Sequence, residues 1–160
     1  MYRFGLDDFF REASDARIKG LIVPDWPVEQ VEASLSLLDR LDLAPIMLVS
    51  PNTPGARMRR IASATRKMLY VVSRTGVSGK KAQWDESFDR YIECIRNITD
   101  VPLAVGFGVR DIDDLRVLCG KSEVAAMGSQ TIKWQKKFGS EQAALRTGQL
   151  VSQLKEFQIA

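Results

Sequence analysis

Val101-Pro102-Leu103-Ala104-Val105-Gly106-Phe107-Gly108-Val109-Arg110 sets a short, continuously apolar run directly against two glycines that flank an aromatic residue. A run of this length, with no polar alternation, reads as a strand buried on both faces, as in parallel sheets covered by helices. The glycines follow at once, where a parallel strand ends. In α/β folds ligands bind at the carboxyl ends of strands. Glycine there lets backbone N–H groups approach an anion closely, and a following helix N-terminus adds positive potential.

The same pattern recurs along the chain. Leu21-Ile22-Val23, Ile46-Met47-Leu48-Val49, Met68 to Val72 and Val124-Ala125-Ala126-Met127 are further apolar runs, spaced as βα repeats are. The run ending at Val72 leads into Ser73-Arg74-Thr75-Gly76-Val77-Ser78-Gly79, and the last run into Gly128-Ser129. Three successive post-strand loops thus supply glycines and hydroxyls with little charge, a composition suited to a phosphate cradle.

Helical patterns fill the gaps. Val28, Val31, Leu35 and Leu38 form one stripe behind Pro27, and Trp84, Phe88, Tyr91, Ile92 and Ile95 form another. Asp111 is placed to cap a helix containing Leu115 and Leu118 that Gly120 stops. Residues 6–16 predict a helix ahead of any strand. Residues 140–157 predict a last amphipathic one, with Leu145, Leu150, Leu154 and Phe157 apolar. Alternating β and α means an α/β fold, either an open doubly wound sheet or part of a barrel. The consecutive phosphate-suited loops favour the barrel.

The 160 residues suit one domain with its own core, spanning 1–160. No apolar run approaches the roughly 18 residues that span a membrane, and the first ten residues do not form a signal peptide. A net charge of +3 gives no argument for nucleic acid. The basic clusters at Arg57, Arg59 and Arg60, at Lys80 and Lys81, and at Lys136 and Lys137 read as solvated faces, or else as a mild attraction for small anions. Cys94 and Cys119 both fall in predicted helices, form no CxxC pair and suit a reducing cytoplasm. With no histidine, a Cys/His zinc site and the commonest general base are both ruled out.

The stretch from Tyr70 to Gly79 resembles the sixth strand and mobile loop of tryptophan synthase α subunits, and 101–109 resembles their seventh strand and phosphate loop. Ala126-Met127-Gly128-Ser129 is similar to the end of the eighth strand. Gly20 to Pro27 is similar to the fourth and Ala44 to Pro54 to the fifth. The resemblance runs in order over the whole chain. It implies about five βα units of a TIM (β/α)₈ barrel, strands four to eight. It further implies that Tyr70 lines the indole pocket, that Arg74 and Ser78 belong to a closing loop, and that Gly79, Gly106, Phe107, Gly108, Gly128 and Ser129 hold the phosphate of indole-3-glycerol phosphate. The family usually has Thr where this chain has Ser78, so the hydroxyl is kept without the methyl. Asp25 and Pro27 would lie towards the β subunit, although Asp25 also suits a helix cap.

The family is a lyase. It releases indole and glyceraldehyde 3-phosphate by acid–base chemistry with no cofactor of its own, and passes indole to a β subunit that carries pyridoxal phosphate. Nothing in these 160 residues matches the family's catalytic glutamate and aspartate motifs, so no catalytic residue is assigned in the chain. Two alternatives remain. One is another phosphate-binding barrel enzyme of aromatic biosynthesis, which would not require the Ser73–Gly79 motif. The other is a non-catalytic module binding phosphorylated ligands or a β-type subunit. Residues 74–83, with two glycines, two hydroxyls, two adjacent lysines and no large apolar anchor beyond Val77, are expected to be the most mobile internal loop, and open barrel edges to promote self-association.

Overall fold

A computed structural model describes residue 1, residues 3–73 and residues 84–159, the side chains of 156–159 excepted. The chain opens with α1 (Leu6–Asp15), then β1 (Gly20–Leu21), α2 (Val28–Arg40), β2 (Ala44–Pro45), β3 (Leu48–Val49) and α3 (Gly55–Ala64). It continues through β4 (Leu69–Val72), α4 (Glu86–Arg96), β5 (Leu103–Gly106), α5 (Ile112–Leu118), β6 (Val124–Ala125), α6 (Ser129–Phe138) and α7 (Ser140–Ile159). Every strand pairing is parallel and joins sequence neighbours, in the order β1-β2 and then β3-β4-β5-β6. A doubly wound sheet would reverse direction at a switch point; this order is that of a barrel segment.

The second apolar run is split, and its local chemistry explains why. Pro45 has no N–H to donate, and the Met47 N–H goes to the Thr65 hydroxyl at 3.0 Å. The Ile46 N–H still reaches Leu21 O at 2.9 Å, and Met47 O accepts from the Tyr70 N–H at 2.8 Å. The run therefore faces β1 with its first half and β4 with its second. Thr65 is 3% exposed, and its hydroxyl also lies 2.7 Å from Met68 O. Thr65→Val keeps the shape and leaves the Met47 N–H without a partner. It should cost about 1–3 kcal/mol, read as a lowered urea midpoint with an unchanged slope.

The core lies where β4 and β5 meet the helices. Leu69, Val71, Leu103 and Val105 are fully buried and pack in one cluster with Phe10, Leu38, Ile61 and Ile95. Among the described strands β2 and β5 are buried along their whole length; β4 alternates buried and half-buried residues, and β6 is exposed. Ile22 and Val124 are 48% and 40% exposed. The expectation of runs buried on both faces thus holds for the centre and fails at the edges. In a closed barrel that second face is filled by opposite strands, whereas β1 and β6 do not pair with each other here.

Helix ends follow local rules. Asp111 caps α5 by accepting from the Asp114 N–H at 3.1 Å, and Gly120 takes φ +75° just past the helix end. Asp85 caps α4, accepting from the N–H groups of Ser87 and Phe88. Trp84 therefore stands outside that helix, edge-on to Phe88 at 4.9 Å, rather than within the stripe that the sequence suggests. Cys119 likewise is the C-cap of α5 and not an interior residue. Helices α3 and α6 carry no pattern that the sequence reading picked out. Of the α7 stripe, Leu145 is 54% exposed and Leu150 and Leu154 are half-buried, the helix packing on α5 and α6, while the Phe157 side chain lies outside the described ones.

Two arginines of the basic cluster on α3, Arg57 and Arg60, are salt-bridged. Arg60 contacts Glu29 at 2.9 Å and Glu32 at 2.6 Å, and Arg57 approaches Glu29 at 3.7 Å. Those contacts join α3 to α2 and engage the charges of Arg57 and Arg60. Glu123 ties three elements together, accepting from the Leu103 N–H at 2.6 Å and from Arg96 at 2.7 Å. Partial burial pushes its pKa up, but those two donors more than offset this and hold it below the ordinary 4.5. A depressed carboxylate stabilises the fold fully above its unfolded-state pKa and loses that contribution as pH falls through the native value. Glu123→Gln should therefore flatten the acid limb of a stability–pH curve below about pH 4.5, while the parent loses stability there.

Candidate functional site

The carboxyl ends of β4, β5 and β6 converge on one cavity of about 470 Å³. Tyr70 projects into it from β4. Its phenol is half-buried, and this desolvation raises its pKa above 10, so it stays a neutral O–H donor at physiological pH. Its ring stands edge-on to Phe107 at 6.2 Å. Gly106 lies directly beneath that ring: a Cβ there would sit 1.9 Å from Tyr70 Oη and 2.6 Å from Cζ. The glycine is required by this close approach.

The loop beyond β5 is held in an unusual shape. Phe107 has φ +68°, a region that costs a side-chain-bearing residue roughly 1–2 kcal/mol, and Gly108 has φ +122°. Ser73, at the end of β4 and 6% exposed, pins this shape from the side. Its N–H donates to Gly106 O at 3.0 Å and its hydroxyl donates to Phe107 O. The opposite wall is the start of α6. Gly128 is its N-cap, with no side-chain cap bond, and Gly128, Ser129 and Gln130 line the cavity. The first N–H groups of a helix have no intrahelical acceptor and carry the positive end of its dipole. Arg110 and Lys133 also line the cavity, and no carboxylate does among the described residues. The arrangement suits a small dianion at one end and a flat aromatic group against Tyr70 at the other.

Of the residues the sequence nominates, Tyr70, Phe107, Gly108, Gly128 and Ser129 come together in this cavity, and Gly106 supports it from behind. Arg74, Ser78 and Gly79 lie outside the described residues, as does the stretch 74–83 on which the mobility expectation rests. Asp25 sits in a turn before α2, and no side chain caps that helix. Sequence reasoning missed Ser73, Arg110 and Lys133. Lys133 stands four residues beyond Ser129, one turn along the same helix face, a spacing that could have flagged it.

Consecutive parallel strands whose ends converge on an anion-suited pocket define a partial (β/α)₈ barrel of the phosphate-facing kind. The family model described as "Tryptophan synthase alpha chain" matches residues 1–158. The chain belongs to the tryptophan synthase alpha chain family. Among curated relatives, the alpha chain of Desulfotalea psychrophila is 40% identical over 133 residues, covering 83% of this chain and 52% of that one. That of Desulforapulum autotrophicum is 40% identical over 141 residues, covering 88% and 56%. A solved chain from Aquifex aeolicus is 30% identical with a TM-score of 0.77, covering 97% of this chain and 56% of that one. One from the tryptophan synthase α2β2 complex of Pyrococcus furiosus is 25% identical with a TM-score of 0.79, covering 93% and 60%. The chain thus spans about half the length of the curated relatives it matches. The family match disfavours a different barrel enzyme of aromatic biosynthesis.

Proposed function

We propose that this chain is the phosphate-binding portion of a tryptophan synthase alpha chain, a lyase of tryptophan biosynthesis that cleaves indole-3-glycerol phosphate. In this reading residues 1–160 act as one domain in the cytoplasm. The N–H groups at Gly108, Gly128 and Ser129 face the phosphate, and Tyr70 packs against the indole. Gly79 completes the phosphate cradle, and Arg74 and Ser78 close over the substrate. The reaction needs no cofactor from this chain. Pyridoxal phosphate would belong to a β subunit that receives the indole, and among the solved relatives is a chain from an α2β2 complex.

The observation that carries the reading is the cavity itself: a helix N-terminus, a left-handed Gly108 and two cations around one space, walled by Tyr70. Titration with glycerol 3-phosphate tests it. A charge-assisted hydrogen bond contributes roughly 1.5–3 kcal/mol, about tenfold to a hundredfold in affinity. Gly108→Val places a β-branched residue at φ +122° and crowds the anion. Binding should become undetectable, and a variant that binds as the parent does would place the site elsewhere.

A further inference from the structure

Asp114 is 1% exposed, although it lies in the first turn of α5, where an acidic residue ordinarily meets water. A carboxylate this buried is costly unless its oxygens are bonded. One oxygen, Oδ2, accepts from the backbone N–H of Arg110 at 2.8 Å. The other, Oδ1, accepts from the indole Nε1–H of Trp84 at 2.5 Å, across 30 residues of sequence. Trp84 is fixed in turn by its edge-on contact with Phe88 of α4. Arg110 directly follows Gly108 and Val109 and lines the cavity, whereas Trp84 does not. The buried acid therefore spans from the entry of α4 to the backbone of the anion-facing loop. Asp111 caps α5, and the bond from Asp114 back to the Arg110 N–H is of the kind a capping box makes; the bond to Trp84 goes beyond helix capping.

We propose that Asp114 is a positioning residue for the pocket. It fixes the backbone at Arg110 against Trp84, and so sets the left-handed turn at Phe107 and Gly108 from the outer helix layer. Its meaning for ligand binding rests on the phosphate reading above; the mechanical link does not.

The test measures amide exchange at Arg110, glycerol 3-phosphate affinity and the Trp84 indole N–H resonance in the parent, Trp84→Phe, Asp114→Asn and the double variant. Trp84→Phe keeps an aromatic ring beside Phe88 while removing the N–H donor, so it carries the test even where Asp114→Asn folds poorly. Loss of one bond to a charged group should quicken Arg110 exchange about tenfold and weaken glycerol 3-phosphate by a similar factor. The double variant should be no worse than Asp114→Asn alone. In the parent, glycerol 3-phosphate should shift the Trp84 N–H resonance although Trp84 lies outside the cavity, and Asp114→Asn should abolish that shift. Parent-like exchange at Arg110 in Trp84→Phe overturns the proposal. If the parent fails to bind glycerol 3-phosphate while Trp84→Phe still quickens Arg110 exchange, the link stands and the phosphate assignment falls. Binding that neither substitution alters keeps the phosphate site and overturns the proposal that Asp114 positions the pocket.

Discussion

Gly106→Ala should collapse the candidate pocket, although it adds a single methyl group. Its Cβ would fall 1.9 Å from Tyr70 Oη and 2.6 Å from Cζ, far inside contact distance. The backbone cannot yield easily. Gly106 pairs with Val72 in the β4–β5 ladder, and its carbonyl accepts from the Ser73 N–H at 3.0 Å. The Tyr70 ring must therefore leave, breaking its contact with Phe107 and exposing the pocket wall. Overpacking of this kind costs about 1–3 kcal/mol, and the lost wall should reduce affinity for indole more than for glycerol 3-phosphate. The check is a double-variant cycle. Tyr70→Leu removes the clashing atoms, so the Gly106→Ala, Tyr70→Leu pair should recover most of the stability lost by Gly106→Ala alone. Additive losses would show that the clash is relieved elsewhere.

The second large effect concerns the 160-residue polypeptide by itself. It should release no measurable indole from indole-3-glycerol phosphate and should not run as a clean monomer. A positioned general acid or base typically contributes about 10²–10⁴-fold, and these residues contain no match to the family's glutamate and aspartate motifs. Among the described residues β1 and β6 each pair on one side only, and Ile22 and Val124 stand exposed beside them. Unpaired parallel edges with apolar side chains recruit further strands. Light scattering should therefore give a mass above 17.9 kDa at micromolar concentration. Robust turnover by a monodisperse 17.9 kDa species would show that the acid–base groups lie elsewhere in this chain and that its edges are satisfied.

Both expectations combine local sequence with distant contacts, and the two kinds of information separate cleanly in this protein. The sequence by itself determined the βα repeat, the barrel class and the glycine loops after β5 and β6 that line the candidate cavity, while the loop at 74–83 lies outside the described residues. Those features depend on neighbours within a few residues: the apolar runs at 68–72 and 103–105, the Asp111 cap, the Gly120 stop and the glycines around Phe107. Only the tertiary structure decided the rest. The split of the second strand comes from Thr65, 18 residues beyond the Met47 N–H it accepts. The need for glycine at 106 comes from a Tyr70 ring on the adjacent strand. Arg110 and Lys133 join one cavity because β5 and β6 pair in register, and the Asp114 bridge spans 30 residues to Trp84. Periodicity and capping report which element a residue occupies. They carry no record of which distant atom completes its hydrogen bond or fills the space beside it, and in this fold those distant atoms shape the site.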